Sequence, residues 1–184
     1  MPTTELWLPG PRRLPPWSLP WASQICPVAS AVKNIVAAAA RRFEDLGTVV
    51  EEAHPDLGDI DEAFQIIRAQ VFAVEHENHV LENRDLVKAD VIWNTEKGLA
   101  QTPSQIAWAD RERAAYYRRV LAYFDTYDLL LCPVMAVPAF DVNWRYQDTI
   151  DGVKVENYIA GSLTTSAISM TACPAMSVPA GVDE

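Results

Sequence analysis

Two of the three histidines stand close enough in the sequence to share a metal ion. His76 and His79 lie in the segment VEHENH, with Glu75 and Glu77 beside them. A helix would place both imidazoles on one face, within reach of a single ion. The spacing differs from that of the zinc motif H-E-x-x-H, and no third ligand is identifiable. We therefore interpret the segment as a solvated polar face of a helix and predict no metal ligands.

Nucleophilic side chains form the second group of candidates. Cys132 lies in the apolar segment LLLCP, and a thiol can attack a carbonyl when a histidine lies beside it in space. No family signature of a cysteine enzyme surrounds it, so a small buried apolar role is the simpler interpretation. Hydroxyls cluster further on, at Ser162, Thr164, Thr165, Ser166, Ser169 and Thr171. They lack the G-x-S-x-G turn that exposes a nucleophile, and helix packing with local capping explains them.

Charged side chains form two more groups. Carboxylates pair at Glu51 with Glu52 and at Asp59 with Asp61. Paired carboxylates perform acid–base catalysis in glycosidases, but these fall at predicted strand and helix ends, where capping and solvation account for them. Four arginines form a basic cluster on this acidic chain: Arg111, Arg113, Arg118 and Arg119. Ion pairs with neighbouring helical residues explain the cluster, and an acidic partner is the alternative.

The elements that must position these groups begin at Ala29. Apolar residues recur every three or four positions from Ala29 to Leu46 and predict a helix that Gly47 ends. The β-branched segment from Thr48 to Glu52 predicts a strand. A capping box at Asp59 and Glu62 predicts a second helix that continues, with breaks, to about Trp93.

A third helix has the clearest start, with Thr102 as N-cap, Pro103 in the first turn and Gln105 completing a capping box. Its predicted buried face consists of Ala107, Ala114, Tyr117, Leu121 and Phe124. The continuous apolar segment Asp128 to Val134 predicts a buried strand. Asp141 to Val155 is polar and predicts a loop, with Asp151-Gly152 as a turn. A short helix over Tyr158 to Ile168 and a second buried strand over Ala175 to Ala180 complete the prediction.

Composition limits the classes of function. The 184 residues fit one domain, and 49% of them are hydrophobic, which is enough to build a core. A net charge of -10 repels phosphate backbones and anionic lipids, so nucleic acid and membranes are excluded as expected partners. Three widely spaced cysteines suggest no disulfide framework and predict a reducing, cytoplasmic location.

The first 28 residues differ from the rest. Six of the prolines and three of the tryptophans lie between Met1 and Trp21. Prolines remove backbone donors and favour extended forms, so we expect residues 1–28 to form an irregular arm. Residues 29–184 are then the folded portion.

Two ordered motifs in this portion resemble the amidase signature family. The first is LLLCPVMAVPAF, which ends at Phe140, and the second is TACPAMSVPAG, from Thr171 to Gly181. The segment from Ala31 to Leu57 is similar to the helix and strand that follow the catalytic region in that family. Ala172 departs from the pattern, because the family usually has glycine there. The resemblance covers residues 31–184 and implies part of an α/β/α sandwich with a mixed sheet, incomplete in this chain.

The same resemblance implies chemistry that this chain does not carry. Amidase signature enzymes hydrolyse carboxamides through a serine nucleophile in a Gly/Ser-rich loop, a second serine and a lysine base. Here no two of the seven glycines are adjacent and none flanks a Ser-Ser pair. Lys33, Lys88, Lys97 and Lys154 match no catalytic motif of the family. We therefore predict no catalytic residues, and we expect the chain to be inactive alone.

What the resemblance leaves is a supporting role. It implies that four residues border the acyl pocket of a complete enzyme: Cys132, Gly161, Ser162 and Thr165. Trp144 and Tyr146 are candidates for a hydrophobic substrate site, with surface packing as the alternative. No metal or organic cofactor is implied, and the substrate of the complete enzyme is a small-molecule amide.

The end of the second motif predicts a partner. The family continues from this strand into another strand of the same sheet, which is not found here. An unpaired strand over Met176 to Pro179 exposes backbone donors and acceptors. We expect a homodimer, or pairing with a subunit that supplies the missing half. The alternative function is a non-catalytic scaffold that pairs with another subunit through this open sheet edge.

Overall fold

The molecule combines long helices with short paired strands. The computed structural model describes residues 13–14 and 26–183. Its helices are α1 (Ser30–Arg41), α2 (Ile60–Glu82), α3 (Ala89–Leu99), α4 (Pro103–Phe124) and α5 (Leu163–Met170). Its strands are β1 (Arg13–Leu14), β2 (Val49–Val50), β3 (Thr149–Ile150) and β4 (Val153–Lys154). One pair, β1 with β2, is parallel and the other, β3 with β4, is antiparallel, so the described part of the chain has the predicted α/β character.

The predicted arm, residues 1–28, lies mostly outside the described residues. Within it, Arg13 and Leu14 form β1 and pair with Val49 and Val50 of β2. The strand predicted over residues 48–52 is therefore present in its second and third positions. Gly47 precedes it with a φ of 81°, a left-handed conformation in which a Cβ is unfavourable.

The N-terminus of α1 is capped by a residue from the far end of the chain. Asp151 accepts hydrogen bonds through Oδ2 from the backbone N–H of Ser30 at 2.8 Å and from its hydroxyl at 2.7 Å. This carboxylate satisfies a backbone donor that has no partner within the helix. The α-helix ends at Arg41, earlier than predicted, and a single 3-10 turn, Glu44–Leu46, follows it.

Helices α2 and α3 form a close pair. A Cβ built on Gly98 would lie 2.0 Å from the carbonyl oxygen of Ala69, so only glycine permits this approach. Asp59 stands at the N-cap position of α2 as predicted, but its side chain makes no capping hydrogen bond, so the predicted capping box is wrong. The predicted break is confirmed by the 3-10 turn Arg84–Leu86 between the two helices.

Helix α4 begins as predicted but buries a different face. The backbone N–H of Gln105 donates to Thr102 Oγ1 at 3.3 Å, and the backbone N–H of Thr102 donates to Gln105 Oε1 at 2.9 Å, which completes the capping box. The buried residues are Ala109, Tyr116, Val120 and Tyr123, while the predicted positions Ala107, Ala114, Tyr117 and Leu121 are exposed. The face prediction was wrong because α4 carries two apolar stripes, and only tertiary packing decides which one is covered.

The predicted loop between Asp141 and Val155 contains a tight hairpin. Strands β3 and β4 are joined by Asp151 and Gly152, whose φ angles are 48° and 81°. Two successive positive φ angles characterise the two-residue turns that fit the twist of a hairpin. The turn prediction is confirmed, and the loop prediction missed the two short strands.

Two predicted buried strands do not form. In the segment from Asp128 to Val134 only Leu131 makes a strand-like bridge, and Leu129 and Val134 are about half exposed. The segment from Ala175 to Ala180 has no regular secondary structure, and Met176 is 85% exposed. Both predictions were wrong because a strand is buried only where neighbouring strands complete its ladder, and the described residues supply no such ladder here.

The core lies where α2, α4 and α5 meet. Its fully buried members include Ile60, Ala63, Tyr116 and Val120. The core therefore fixes α5 and the segment before it against the two longest helices.

None of the helices in the described residues is both long enough and apolar enough to cross a membrane.

Candidate functional site

The structure brings the loop after Cys132 against the segment that carries the other predicted rim residues. The backbone N–H of Ala136 donates to the carbonyl oxygen of Gly161 at 2.9 Å. The carbonyl oxygen of Ala136 in turn accepts from the N–H of Ala29 at 2.8 Å. Pro133, Ala136 and Val137 are buried, so this short loop is held between the start of α1 and the turn before α5.

Hydroxyls of α5 fix the same loop from a second direction. Thr164 Oγ1 donates to the carbonyl oxygen of Val134 at 3.2 Å, and Thr165 Oγ1 donates to the same oxygen. Two donors on one carbonyl use both of its lone pairs. Three of the four predicted rim residues, Gly161, Ser162 and Thr165, therefore lie on one short segment that packs against the loop following the fourth.

The remaining hydroxyls of the cluster bond to nearby carbonyls. Ser162 Oγ donates to the carbonyl oxygen of Ile159 at 3.0 Å, Ser166 Oγ to that of Ser162 at 3.1 Å, and Ser169 Oγ to that of Thr165 at 3.0 Å. A hydroxyl that donates its proton to a carbonyl has no base to activate it. These bonds support local capping and packing as the role of the cluster.

Cys132 is poorly suited to nucleophilic attack. Desolvation by burial raises the pKa of its thiol from 9.0 to about 11. The thiolate is the reactive form, so at neutral pH this side chain is almost entirely the inert thiol. Burial likewise raises the pKa of the Tyr116 hydroxyl, and the neighbouring Cys132 and Cys173 raise it further. Cys132 is half-buried against the core, which fits the small apolar role expected from its surroundings better than a nucleophilic one.

A polar network that the sequence did not reveal holds Tyr158, which begins the segment that carries three of the predicted rim residues, 158–165 (the rim segment). Tyr158 Oη accepts from Arg68 Nη2 at 2.6 Å and from Asn94 Nδ2 at 3.0 Å. The Arg68 guanidinium also bonds Asn94 Oδ1 and lies 4.4 Å from the ring centroid of Phe72. Asn94 is buried, so its amide cannot form hydrogen bonds with solvent. The bonds to Arg68 and Tyr158 satisfy it instead.

This network was missed because its members are far apart in the sequence. Tyr158 is 90 residues from Arg68 and 64 from Asn94. The one local signal was Asn94 itself, a polar residue directly after the apolar run VIW in α3. A buried amide in that position requires hydrogen-bond partners from another element.

Trp144 and Tyr146 meet at a cavity near the surface. Together with Arg145 and Asp148 they line a space of about 360 Å³. Arg145 forms an ion pair with Asp90, which ties the cavity to α3. A second cavity of about 290 Å³ lies beside Cys26, Asp61 and Leu163. Neither cavity is lined by any of the four predicted rim residues.

The remaining candidates from the sequence stay apart from this region. His76 and His79 lie on α2, with ring centroids 6.3 Å apart, and His76 stacks edge-on against Phe72. Across residues 26–183, no group of three His, Cys, Asp or Glu side chains is arranged to hold a metal ion. Of the four clustered arginines, Arg119 pairs with Glu112 at 2.6 Å and also bonds the carbonyl oxygens of Asp56 and Leu57.

The segment after α5 contrasts with the packed loop. Ala172 has a φ of 58° and directly follows Thr171, the C-cap residue of α5. From Pro174 to Asp183 no backbone hydrogen bond joins the segment to another described residue. Gly181 lies close to α1, because a Cβ there would lie 2.9 Å from Cγ2 of Ile35.

These features define an α/β protein that carries a packed loop, a short Ser/Thr helix and, after that helix, a segment without backbone partners among the described residues. The family model described as Amidase matches residues 19–184. The chain therefore belongs to the amidase family. No curated protein sequence matches it significantly.

Three solved structures of similar fold cover most of this chain, and two of them are described as amidases. One amidase gives a TM-score of 0.75 at 19% identity, over 90% of this chain and 38% of its own. A bacterial aryl acylamidase of the amidase signature family gives 0.73 at 22% identity, over 95% and 38%. A structure described as a vestigial protein complex that reveals the origins of an s-triazine catabolic enzyme gives 0.74 at 20% identity, over 88% and 34%. These likenesses confirm the α/β fold, and the chain spans well under half of each protein.

Proposed function

We propose that this chain forms the C-terminal portion of an amidase signature hydrolase. In its complete form such an enzyme transfers an acyl group from a small-molecule carboxamide to a serine and then to water. The observation that carries the proposal is the family match over residues 19–184, together with coverage of only 38% of the similar amidases. No metal or organic cofactor takes part, and the free cysteines of the described residues suit a reducing, cytoplasmic location.

The chain alone is inactive in this proposal. Acyl transfer needs an activated nucleophile and donors for the developing oxyanion. The family supplies them from a Gly/Ser-rich loop and a lysine, for which the sequence has no counterpart. In the region of the predicted rim, the hydroxyls of Ser162, Thr164 and Thr165 are committed to carbonyl oxygens.

In the complete enzyme this chain supplies the wall of the acyl pocket. The rim residues are Cys132, Gly161, Ser162 and Thr165. The bonds from Ala136 to Gly161 and from Thr164 and Thr165 to Val134 support this role, because they hold the loop and the short helix as one unit. A rigid wall assists the reaction by positioning the substrate, and it supplies neither the nucleophile nor the proton transfer.

A fluorophosphonate probe tests the central claim, because it forms a covalent bond with an activated serine. The purified 184-residue chain should show no mass increase after treatment, and it should release no ammonia or amine from a panel of aliphatic and aromatic carboxamides. A complete amidase treated in parallel is the positive control. An adduct that maps to one side chain of this protein, or amide hydrolysis that persists through repeated purification, would falsify the proposal.

The alternative function is a non-catalytic scaffold that pairs with another subunit through the open sheet edge. The segment after α5, from Pro174 to Asp183, favours this alternative. Met176 and Val182 are 85% and 88% exposed, and the backbone between them makes no hydrogen bond to another described residue. A tagged chain purified from its native cells should then retain a stoichiometric partner, and Met176→Pro should lose it by removing a backbone donor. Val142→Pro, on an equally exposed loop residue, is the control, and retention of the partner by Met176→Pro would exclude this edge.

A further inference from the structure

The second half of α2 exposes an apolar stripe. Val74 is 80% exposed, Leu81 is 72% exposed and Val71 is 46% exposed, and Asn78 lies between them. The spacing of three, four and three residues is that of a heptad seam, the pattern with which one helix packs along another. Exposed carboxylates flank the stripe at Glu75 and Glu82.

Helix α4 exposes a stripe of the same period and the opposite charge. Ala114, Tyr117 and Leu121 lie along it, again three and four residues apart. Arg111 and Arg118 flank it, and neither makes an ion pair with a described residue. Two helices of one chain therefore present matching seams, one edged by carboxylates and the other by guanidinium groups.

We propose that a second copy of this chain covers these surfaces, with α2 of one copy antiparallel to α4 of the other. One register aligns both the seams and the charges. It sets Val74 opposite Leu121, Asn78 opposite Tyr117 and Leu81 opposite Ala114. The same register places Glu75 beside Arg118 and Glu82 beside Arg111, and it offers the Asn78 amide a hydroxyl partner.

Charge decides against the simpler self-pairings. Two α2 helices packed together would face carboxylates with carboxylates, and two α4 helices would face arginines with arginines; like charges across an interface disfavour association. Only the α2–α4 contact neutralises both edges. Closed by a two-fold axis this contact makes a dimer, and repeated head to tail it makes longer assemblies. The surface is separate from the open edge after α5 and does not depend on catalysis.

Reciprocal charge reversal tests the proposal. Variant one carries Arg111→Glu and Arg118→Glu, and variant two carries Glu75→Arg and Glu82→Arg. Each variant alone places like charges at the α2–α4 contact, so its association constant in sedimentation velocity should fall about tenfold or more below that of the unmodified chain. Mixed in equal amounts, the two variants have complementary edges at both contacts and should associate within about threefold of the unmodified chain.

A control matched to variant one has the same change in charge at sites away from the seams. Arg42→Glu with Lys88→Glu should leave association within about twofold, since both positions are exposed and outside the register. Circular dichroism should show all variants folded. The proposal is overturned if the unmodified chain sediments as a monomer, if either variant associates as the unmodified chain does, or if the mixture remains monomeric. A monomer would mean that another part of an amidase fold covers these helices.

Discussion

The two amidase motifs of this chain differ in packing: the first is hydrogen-bonded to neighbouring elements, and the second has an unpaired backbone among the described residues. The loop after Cys132 is tied by backbone and hydroxyl hydrogen bonds to α1 and α5, whereas the segment from Pro174 to Asp183 has no backbone bond to another described residue. Both have the apolar, proline-bounded composition of buried strands. The difference teaches that such a motif packs only where its partners belong to the same folded unit. The first motif has partners within the chain, and the second has no backbone partner among the described residues.

The first test of this contrast removes the Tyr158 hydroxyl, which anchors the packed region around the loop after Cys132. Tyr158→Phe deletes the acceptor for Arg68 and Asn94, and so leaves the half-buried Arg68 and the buried Asn94 without that partner. We expect the free energy of unfolding to fall by about 2 kcal/mol, the usual cost of leaving such groups unpaired. Urea titration followed by circular dichroism measures it.

Tyr146→Phe serves as the matched control for this substitution. Its hydroxyl makes no hydrogen bond to another described residue, so we expect a change below about 0.5 kcal/mol. Equal effects of the two substitutions would mean that the Tyr158 network does not hold the rim segment.

The second test uses pH at the start of the packed loop. Burial raises the pKa of Cys132 from 9.0 to about 11, so the folded chain keeps a proton that the unfolded chain loses above pH 9. Stability from this group is fully present below pH 9 and is lost as the pH rises to about 11. The free energy of unfolding should therefore decrease over this window by up to about 2 kcal/mol more in the unmodified chain than in Cys132→Ser. Parallel pH profiles of the two proteins would show that the thiol is not buried.

The third test concerns Ala172, which lies between α5 and the unpaired segment from Pro174 to Asp183 (the open segment). Ala172 has a φ of 58°, where a Cβ is unfavourable, and the amidase signature pattern usually has glycine at this position. Because Ala172 is exposed, Ala172→Gly relieves the strain and loses little packing. We expect thermal and urea unfolding to show a gain of about 1 kcal/mol. Ala180→Gly, in the open segment, should give no gain, and a loss of stability in Ala172→Gly would contradict the conformation.

The sequence predicted local features well and long-range partners poorly. The capping box at Thr102 and the Asp151-Gly152 turn follow from residue types within four positions, and both are present. The buried face of α4 and the Tyr158 network depend on elements many residues away, so no local pattern could select them. For the candidate site, the sequence alone shows that Gly161, Ser162 and Thr165 lie on one segment. Only the structure shows that this segment contacts the loop after Cys132.

The smallest expected change in the free energy of unfolding is that of Met176→Ser, and it compares the two regions most directly. Met170 and Met176 are six residues apart, but Met170 is 5% exposed and Met176 is 85% exposed. Met176→Ser should change the free energy of unfolding by less than about 0.5 kcal/mol, because an exposed side chain loses no packing. Met170→Ser should cost about 3 kcal/mol, since it leaves a cavity and buries a hydroxyl. If a partner covers the open segment, Met176→Ser should destabilise that complex while leaving the isolated chain unchanged. A large effect of Met176→Ser in the isolated chain would show instead that the segment is already packed within it.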